Sequence, residues 1–156
     1  MKTNLIGLDN NQSQQLAQSL NRLLANYQVF YMNTRGYHWN IKGKKFFELH
    51  AKFEEIYTDL QIKIDELAER ILTLGAQPLH SFSDYLATTE IKEHTNATDA
   101  QSTMQGLLNG FSSLIAQQRT ILSLAAEVGD EGTSAQMSDY IREQEKLVWM
   151  LNAWLQ

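Results

Sequence analysis

Apolar residues at Leu16, Leu20, Leu23, Leu24, Tyr27, Phe30 and Tyr31 recur at spacings of three and four, with polar residues between them. That period puts one buried stripe on an amphipathic helix, predicted to run from about residue 10 to about residue 38. Turn chemistry follows in Asn40-Ile41-Lys42-Gly43. The period restarts with Phe46, Leu49, Phe53, Ile56, Tyr57, Leu60, Ile64, Leu67 and Ile71, a second helix that Gly75 and then Pro78 bring to a close. From 77 to 98 the pattern lapses, apart from a short helix expected over 81–86; so long a segment inside a compact domain has a structural or functional reason. A third helix begins after the polar pair Thr98-Asp99, which suits a cap. It runs through Met104, Leu107, Leu108, Phe111, Leu114, Ile115, Ile121, Leu122 and Ala125, and stops at Gly129. Gly132-Thr133-Ser134 then precede a fourth, through Met137, Tyr140, Ile141, Leu147, Val148, Leu151 and Trp154.

Short links join the first helix to the second and the third to the fourth, so each pair is an antiparallel hairpin. The long middle segment carries the chain along the bundle. The expected fold is all-α: a four-helix bundle with one long crossover, the connectivity of the ferritin-like variant, and a short extra helix in that crossover. With 156 residues the chain is about the size of one domain able to bury a continuous core, so a single domain over 1–156 with a short tail at about 1–9 is expected. No internal repeat or low-complexity segment interrupts it.

Composition narrows the chemistry. The chain has no cysteine, which excludes disulfides, zinc–thiolate sites, iron–sulfur clusters and cysteine nucleophiles, so any metal must take nitrogen and oxygen ligands. The N-terminus has no apolar stretch behind a charged start, and nowhere do about 18 apolar residues run together; a cytoplasmic location without membrane partners is the expectation. A net charge of -5 argues against a broad basic face for phosphate. The first fifteen positions carry only Lys2, and 152–156 carry no basic residue, so direct DNA binding is not expected.

Two pairs on the second helix have ligand spacing. His50 and Glu54 stand four apart and project from one face; Asp65 and Glu69 repeat the spacing. Each pair alone is more often a solvated face than a ligand set. The relation between them carries more: eleven residues separate Glu54 from Asp65, a return to within roughly 20° of the same face but an advance of about 16.5 Å. One ion cannot touch both pairs in one chain. Two copies of this helix, antiparallel about a two-fold axis near Asp59-Leu60, would bring the His50 end of one to the Asp65 end of the other and make two equivalent sites. His38, at the end of the first helix, is carried toward His50 by the hairpin. Two imidazoles with carboxylates suit a redox-active divalent metal such as iron, and ligand type alone also admits zinc.

Three runs resemble the signature of the Dps family, the DNA-protection-during-starvation proteins or mini-ferritins. They are Tyr37-His38-Trp39-Asn40-Ile41-Lys42-Gly43, Phe46-Phe47-Glu48-Leu49-His50-Ala51-Lys52-Phe53-Glu54-Glu55 and Asp65-Glu66-Leu67-Ala68-Glu69-Arg70. The likeness continues through Ile71-Leu72-Thr73-Leu74-Gly75 with Pro78, and through Gly129-Asp130 and Thr133 to Trp149-Met150-Leu151. It implies a two-iron ferroxidase site, cycling Fe(II) and Fe(III), at a dimer interface. His38 and His50 would come from one subunit and Asp65 and Glu69 from its two-fold partner, with Glu54 where relatives usually carry aspartate. The resemblance also implies a hollow dodecamer built from two-fold dimers, hydrogen peroxide in preference to dioxygen as oxidant, and ferric mineral deposited inside. A nucleoid-compacting protein with an incidental metal site is the alternative, and a purely structural helical module is a third reading. Against ordinary intrasubunit di-iron bundles, no glutamate lies three before any of the four histidines.

Other residues receive plainer readings. Trp39 is either an interface aromatic or a trap for stray oxidising equivalents; His80 and His94 read as surface residues. Trp149 and Trp154 read as core or subunit contacts. Glu127, Asp130 and Glu131 fall where the resemblance places acids around iron-admitting pores, although Ala126 and Ala135 replace acids of some relatives.

Overall fold

Helix ends in this chain follow from side-chain caps and from two left-handed glycines. The computed structural model describes residues 2–156 and contains α1 (Asn10–Asn40), α2 (Phe46–Thr73), α3 (Phe82–Thr88), α4 (Ala100–Glu127) and α5 (Glu131–Leu155). Carboxylates of Asp9, Asp99 and Asp130 accept from the backbone N–H groups of Gln12, Ser102 and Thr133 and so cap α1, α4 and α5. Gly75 and Gly129 adopt φ of 90° and 75°. In each case the glycine N–H and the next N–H bond back to the last turn: Gly75 to Leu72 and Ala76 to Ile71, Gly129 to Ala126 and Asp130 to Ala125. These are Schellman closures, which need a residue without Cβ strain at the turning point.

The second closure explains one departure from expectation. Gly132, Thr133 and Ser134, expected ahead of the fourth helix, lie inside the first turn of α5. Gly129 has already turned the chain and Asp130 has already capped it, so no further linker is required. The first helix likewise runs two residues past its expected end, to Asn40. Among the described residues there is no strand, only an isolated bridge between Thr3 and Asp9. That bridge closes residues 2–9, expected as a tail, into a loop whose Asn4 amide reaches Ser13.

The hairpins α1·α2 and α4·α5 pack as layers joined by α1 against α4, with α3 lying on α1. Phe30 meets Phe111 edge-on at 4.9 Å between centroids. Gly110 permits this, because a Cβ there would collide with the Phe30 ring. At the centre a ring of three hydrogen bonds replaces apolar packing: Tyr27 OH donates to Gln118 Oε1 (2.5 Å), Gln118 Nε2 to Gln144 Oε1 (2.8 Å), and Gln144 Nε2 back to the Tyr27 oxygen (2.7 Å). Every buried polar atom in that ring is satisfied, and the bonds polarise one another.

Three asparagines on α1 pin the crossover. Asn21 exchanges bonds with the backbone of Gln77 and Leu79, and Asn26 Oδ1 accepts from Glu90 N–H and Thr89 Oγ1. Asn33 donates to the Lys92 carbonyl and accepts from His94 N–H. Lys42 N–H donates to Thr98 O at 2.8 Å, fastening the α1–α2 turn to the start of α4. The end of the molecule that holds His38 and His50 is thereby fixed from both sides.

Candidate metal centre

His38 lies in the last turn of α1 and His50 in the first turns of α2, on either side of a turn in which Phe46 N–H bonds to Gly43 O. The hairpin brings the two rings into a stack, 3.8 Å between centroids and 12° from parallel. Each Nδ1–H donates to the other residue's backbone carbonyl, His38 to His50 at 2.6 Å and His50 to His38 at 2.7 Å. A carbonyl only accepts, so both Nδ1 atoms carry a proton and, in the neutral rings, both Nε2 lone pairs are left for a Lewis acid. Backbone-anchored imidazoles of this kind are what a metal ligand requires from its surroundings.

The stack is closed on both sides. Phe46 lies against His50 at 4.9 Å, and Tyr57 turns its edge to His38 at 5.3 Å. His38 is only 7% exposed. Glu54, one turn past His50, reaches toward the open edge: its Oε1 is 3.7 Å from His38 Nε2, while 61% of its side chain stays in solvent. The expected trio of His38, His50 and Glu54 is therefore gathered at one end of the hairpin.

Asp65 and Glu69 are elsewhere. They stand exposed farther along α2 with no ion pair or side-chain hydrogen bond of their own. Among the described residues, no three histidine, aspartate or glutamate side chains converge within one chain to hold an ion. The two halves of the ligand set do share a surface. Phe47, His50, Glu54, Thr58, Gln61, Asp65, Glu69 and Leu72 fall on one stripe of α2 about 100° wide. All of them are exposed except half-buried His50, and the stripe is bounded by exposed Phe47 and Leu72. Its members are paired about the point between Asp59 and Leu60: Thr58 with Gln61, Glu54 with Asp65, His50 with Glu69, Phe47 with Leu72.

Some of the other expectations are corrected, whereas His80 and His94 lie at the surface as expected. Asp130 is not the free, solvated acid expected near the turn: it is buried, caps α5 and pairs with Arg70 at 2.7 Å. Glu127 and Glu131 are exposed beside it. Of the two readings for Trp149 and Trp154 the core is excluded, since Trp149 is 66% exposed and Trp154 is exposed too, which leaves subunit contacts. His80 is a surface residue bonded to the Pro78 carbonyl. His94 is exposed but engaged, its Nδ1 bonded to Tyr37 OH and its ring edge-on to the Tyr37 ring. Trp39 is exposed with the Arg35 guanidinium 5.2 Å over its ring. Arg35 joins Tyr31 and Tyr57, two positions of the apolar stripes, in one cluster beside His38 that the apolar pattern does not single out. The three- and four-residue spacing of Tyr31, Arg35 and His38 was the available signal.

Among the described residues no helix is long and apolar enough to cross a membrane. The family model of the ferritin-like domain matches residues 17–156. A crystal structure of the Dps protein from Vibrio cholerae O1, described as a member of a broad superfamily of ferritin-like diiron-carboxylate proteins, superposes with TM-score 0.99. It is 78% identical and the match covers 100% of this chain and 98% of that one. An uncharacterised protein of Haemophilus influenzae is 59% identical over 98% of this chain and 96% of its own length. The DNA protection during starvation protein of Porphyromonas gingivalis is 45% identical, covering 95% of this chain and 93% of that protein.

Proposed function

The chain belongs to the ferritin-like family, within its Dps proteins, and from that membership we propose that it is an iron-storage and detoxification subunit. It binds Fe(II) between two-fold-related copies, oxidises it, and encloses the ferric product in a dodecameric shell. Iron here is substrate and cargo. The observation that carries this reading is the paired stripe on α2. A two-fold axis between Asp59 and Leu60 lays Glu54 against the partner's Asp65 and His50 against the partner's Glu69, completing at each end a set that one chain leaves open.

The chain's own groups then have defined tasks. Nε2 of His38 and of His50 present lone pairs whose direction is held by the crossed Nδ1–H bonds. Glu54 and the partner's Asp65 and Glu69 supply anionic oxygen, which favours the ferric over the ferrous charge and so lowers the potential of the bound metal. With hydrogen peroxide as oxidant, two Fe(II) each give one electron, the O–O bond breaks, and two protons are taken up to yield two waters. Two irons at one interface let this happen without release of an odd-electron oxygen species. The stack of Phe46, His50, His38 and Tyr57 keeps water from the buried faces of both imidazoles. DNA compaction, the alternative, gains no basic tail from residues 2–9 or 152–156 beyond Lys2.

Mixed shells test the division of the site. A His38→Ala, His50→Ala chain and an Asp65→Asn, Glu69→Gln chain are each expected to oxidise Fe(II) at background rate. Co-assembled in equal amounts, half the dimers are mixed and each regains one intact site, so roughly a quarter of wild-type activity returns. Mixtures as inactive as their parents would refute the shared site.

A further inference from the structure

Arg35 stands one turn before His38 on α1 and has no carboxylate partner among the described residues. It is nevertheless held firmly. Its Nη1 donates to Tyr31 OH at 2.6 Å, and its guanidinium carbon lies 4.6 Å over the Tyr57 ring and 5.2 Å over Trp39. Ordering so flexible a side chain on an aromatic platform, half-buried and without a counter-ion, costs entropy and hydration. The free charge on that platform calls for an anion.

The registers of α1 and α2 say where that anion comes from. His38 stacks on His50 and Tyr31 meets Tyr57 edge-on, so in this antiparallel pair Arg35 is level with the turn containing Phe53 and Glu54. The paired stripe places the partner's Asp65 at that same level. Asp65 is itself exposed and unpaired in the single chain. We infer that Arg35 pairs across the interface with the partner's Asp65 and balances the charge of the metal-free site. This rests on the shared-site reading above. Three carboxylates, Glu54 with the partner's Asp65 and Glu69, converge there beside the two imidazoles. Without a cation their repulsion at a desolvated interface opposes assembly. Arg35 supplies one positive charge that lets the dimer form before iron arrives, and the arriving Fe(II) then competes with it for Asp65. Arg35 is a positioning residue and does not enter the electron transfer.

The test uses the full-length protein, metal-free, as wild type, Arg35→Lys, Arg35→Met and Arg35→Met with Asp65→Asn. Sedimentation at low salt should show Arg35→Met dissociating at about tenfold higher protein concentration than wild type. The gap should narrow as salt screens the carboxylates, and both Arg35→Lys and the double variant should assemble nearly as wild type. Calorimetric titration of assembled shells with Zn(II), a redox-silent stand-in, should show affinity rising roughly tenfold in Arg35→Met, the size expected when one unit charge is removed several ångströms from a bound dication. Unchanged assembly together with unchanged Zn(II) affinity in Arg35→Met overturns the proposal. Asp65→Asn alone separates the two levels of inference. If that variant keeps full Fe(II) oxidation, the shared site falls; if it loses oxidation while Arg35→Met matches wild type, only the role of Arg35 falls.

Discussion

His38 and His50 bond crosswise, each ring donating its Nδ1–H to the other's main chain while the rings lie 3.8 Å apart. Neither imidazole can turn without losing its hydrogen bond, so both Nε2 atoms are aimed before any metal binds. Replacing either histidine by alanine is expected to lower the rate of Fe(II) oxidation at least tenfold, as loss of a ligand or its orienting partner does. His50→Ala should also loosen His38, which loses its stacking partner. Stopped-flow oxidation at sub-stoichiometric iron reads the first effect, and nuclear magnetic resonance of the remaining imidazole reads the second.

Glu54 is expected to tolerate shortening better than removal. Its carboxylate stops 3.7 Å from His38 Nε2 and most of its side chain is in solvent, so nothing in its own chain fixes its rotamer. Glu54→Asp should keep oxidation within about threefold of wild type, whereas Glu54→Ala should lose about tenfold. Equal losses in the two variants would show that the extra methylene is itself required.

Gly110 offers a test in which the sign decides. In an exposed helix, glycine to alanine stabilises by up to about 1 kcal/mol. Here the new Cβ meets the Phe30 ring, which also packs edge-on against Phe111. Gly110→Ala should therefore destabilise by about 1–3 kcal/mol, the cost of overpacking, measured by denaturant unfolding at fixed protein concentration. Stabilisation would mean that α1 and α4 can move apart freely.

The helices were legible because their buried stripes repeat at the helical period, and two of their ends because Gly75 and Gly129 supply left-handed turns. What periodicity cannot register is polar structure inside the bundle. Asn21, Asn26 and Asn33 break no pattern, yet they hold the crossover in place. Tyr27 counted as one more apolar position, although its hydroxyl closes the central ring with Gln118 and Gln144. The histidine half of the candidate site was visible as a hairpin neighbourhood, and the structure adds the crossed hydrogen bonds. Asp130 was misjudged because an acid near a chain turn looks solvated, whereas its burial depends on Arg70, sixty residues earlier in the chain. Trp149 and Trp154 share the period of α5 but sit at its outer margin, which period alone does not separate from its centre.

Arg70 ties α2 to α5. Its Nη2 donates to Asp130 Oδ1 at 2.7 Å and its Nε to Thr133 Oγ1 at 2.9 Å. Asp130 is almost wholly buried, so Arg70→Ala leaves an uncompensated carboxylate at the start of α5. A loss of about 3 kcal/mol is expected. Arg70→Met combined with Asp130→Asn should cost less than the single change, because the amide still caps the helix and no charge is stranded. A double variant less stable than Arg70→Ala would mean that the ion pair itself, and not relief of a buried charge, sets the cost.

Alkaline pH should weaken the fold through its buried phenols and one amine. Burial pushes the Tyr37 hydroxyl up to about 12 and raises Tyr27, Tyr85 and Tyr140 as well. Burial works to lower Lys63, but hydrogen bonds and charge from Asp59 and Glu143 outweigh it, and the net shift is upward. A group whose folded value lies above its unfolded value favours the protonated folded state. Its contribution is complete below the unfolded value, near 10 for a phenol, and disappears as pH rises through the folded one. Between about 10 and about 12, then, the unfolded chain has released a proton that Tyr37 retains, and stability falls with rising pH. Tyrosinate absorbance should lag behind the count of six tyrosines until the protein unfolds. In Tyr37→Phe the slope of stability against pH in that window should be shallower by about one proton. An unchanged slope would show that the Tyr37 hydroxyl, despite its bond to His94, ionises as freely as a phenol in water.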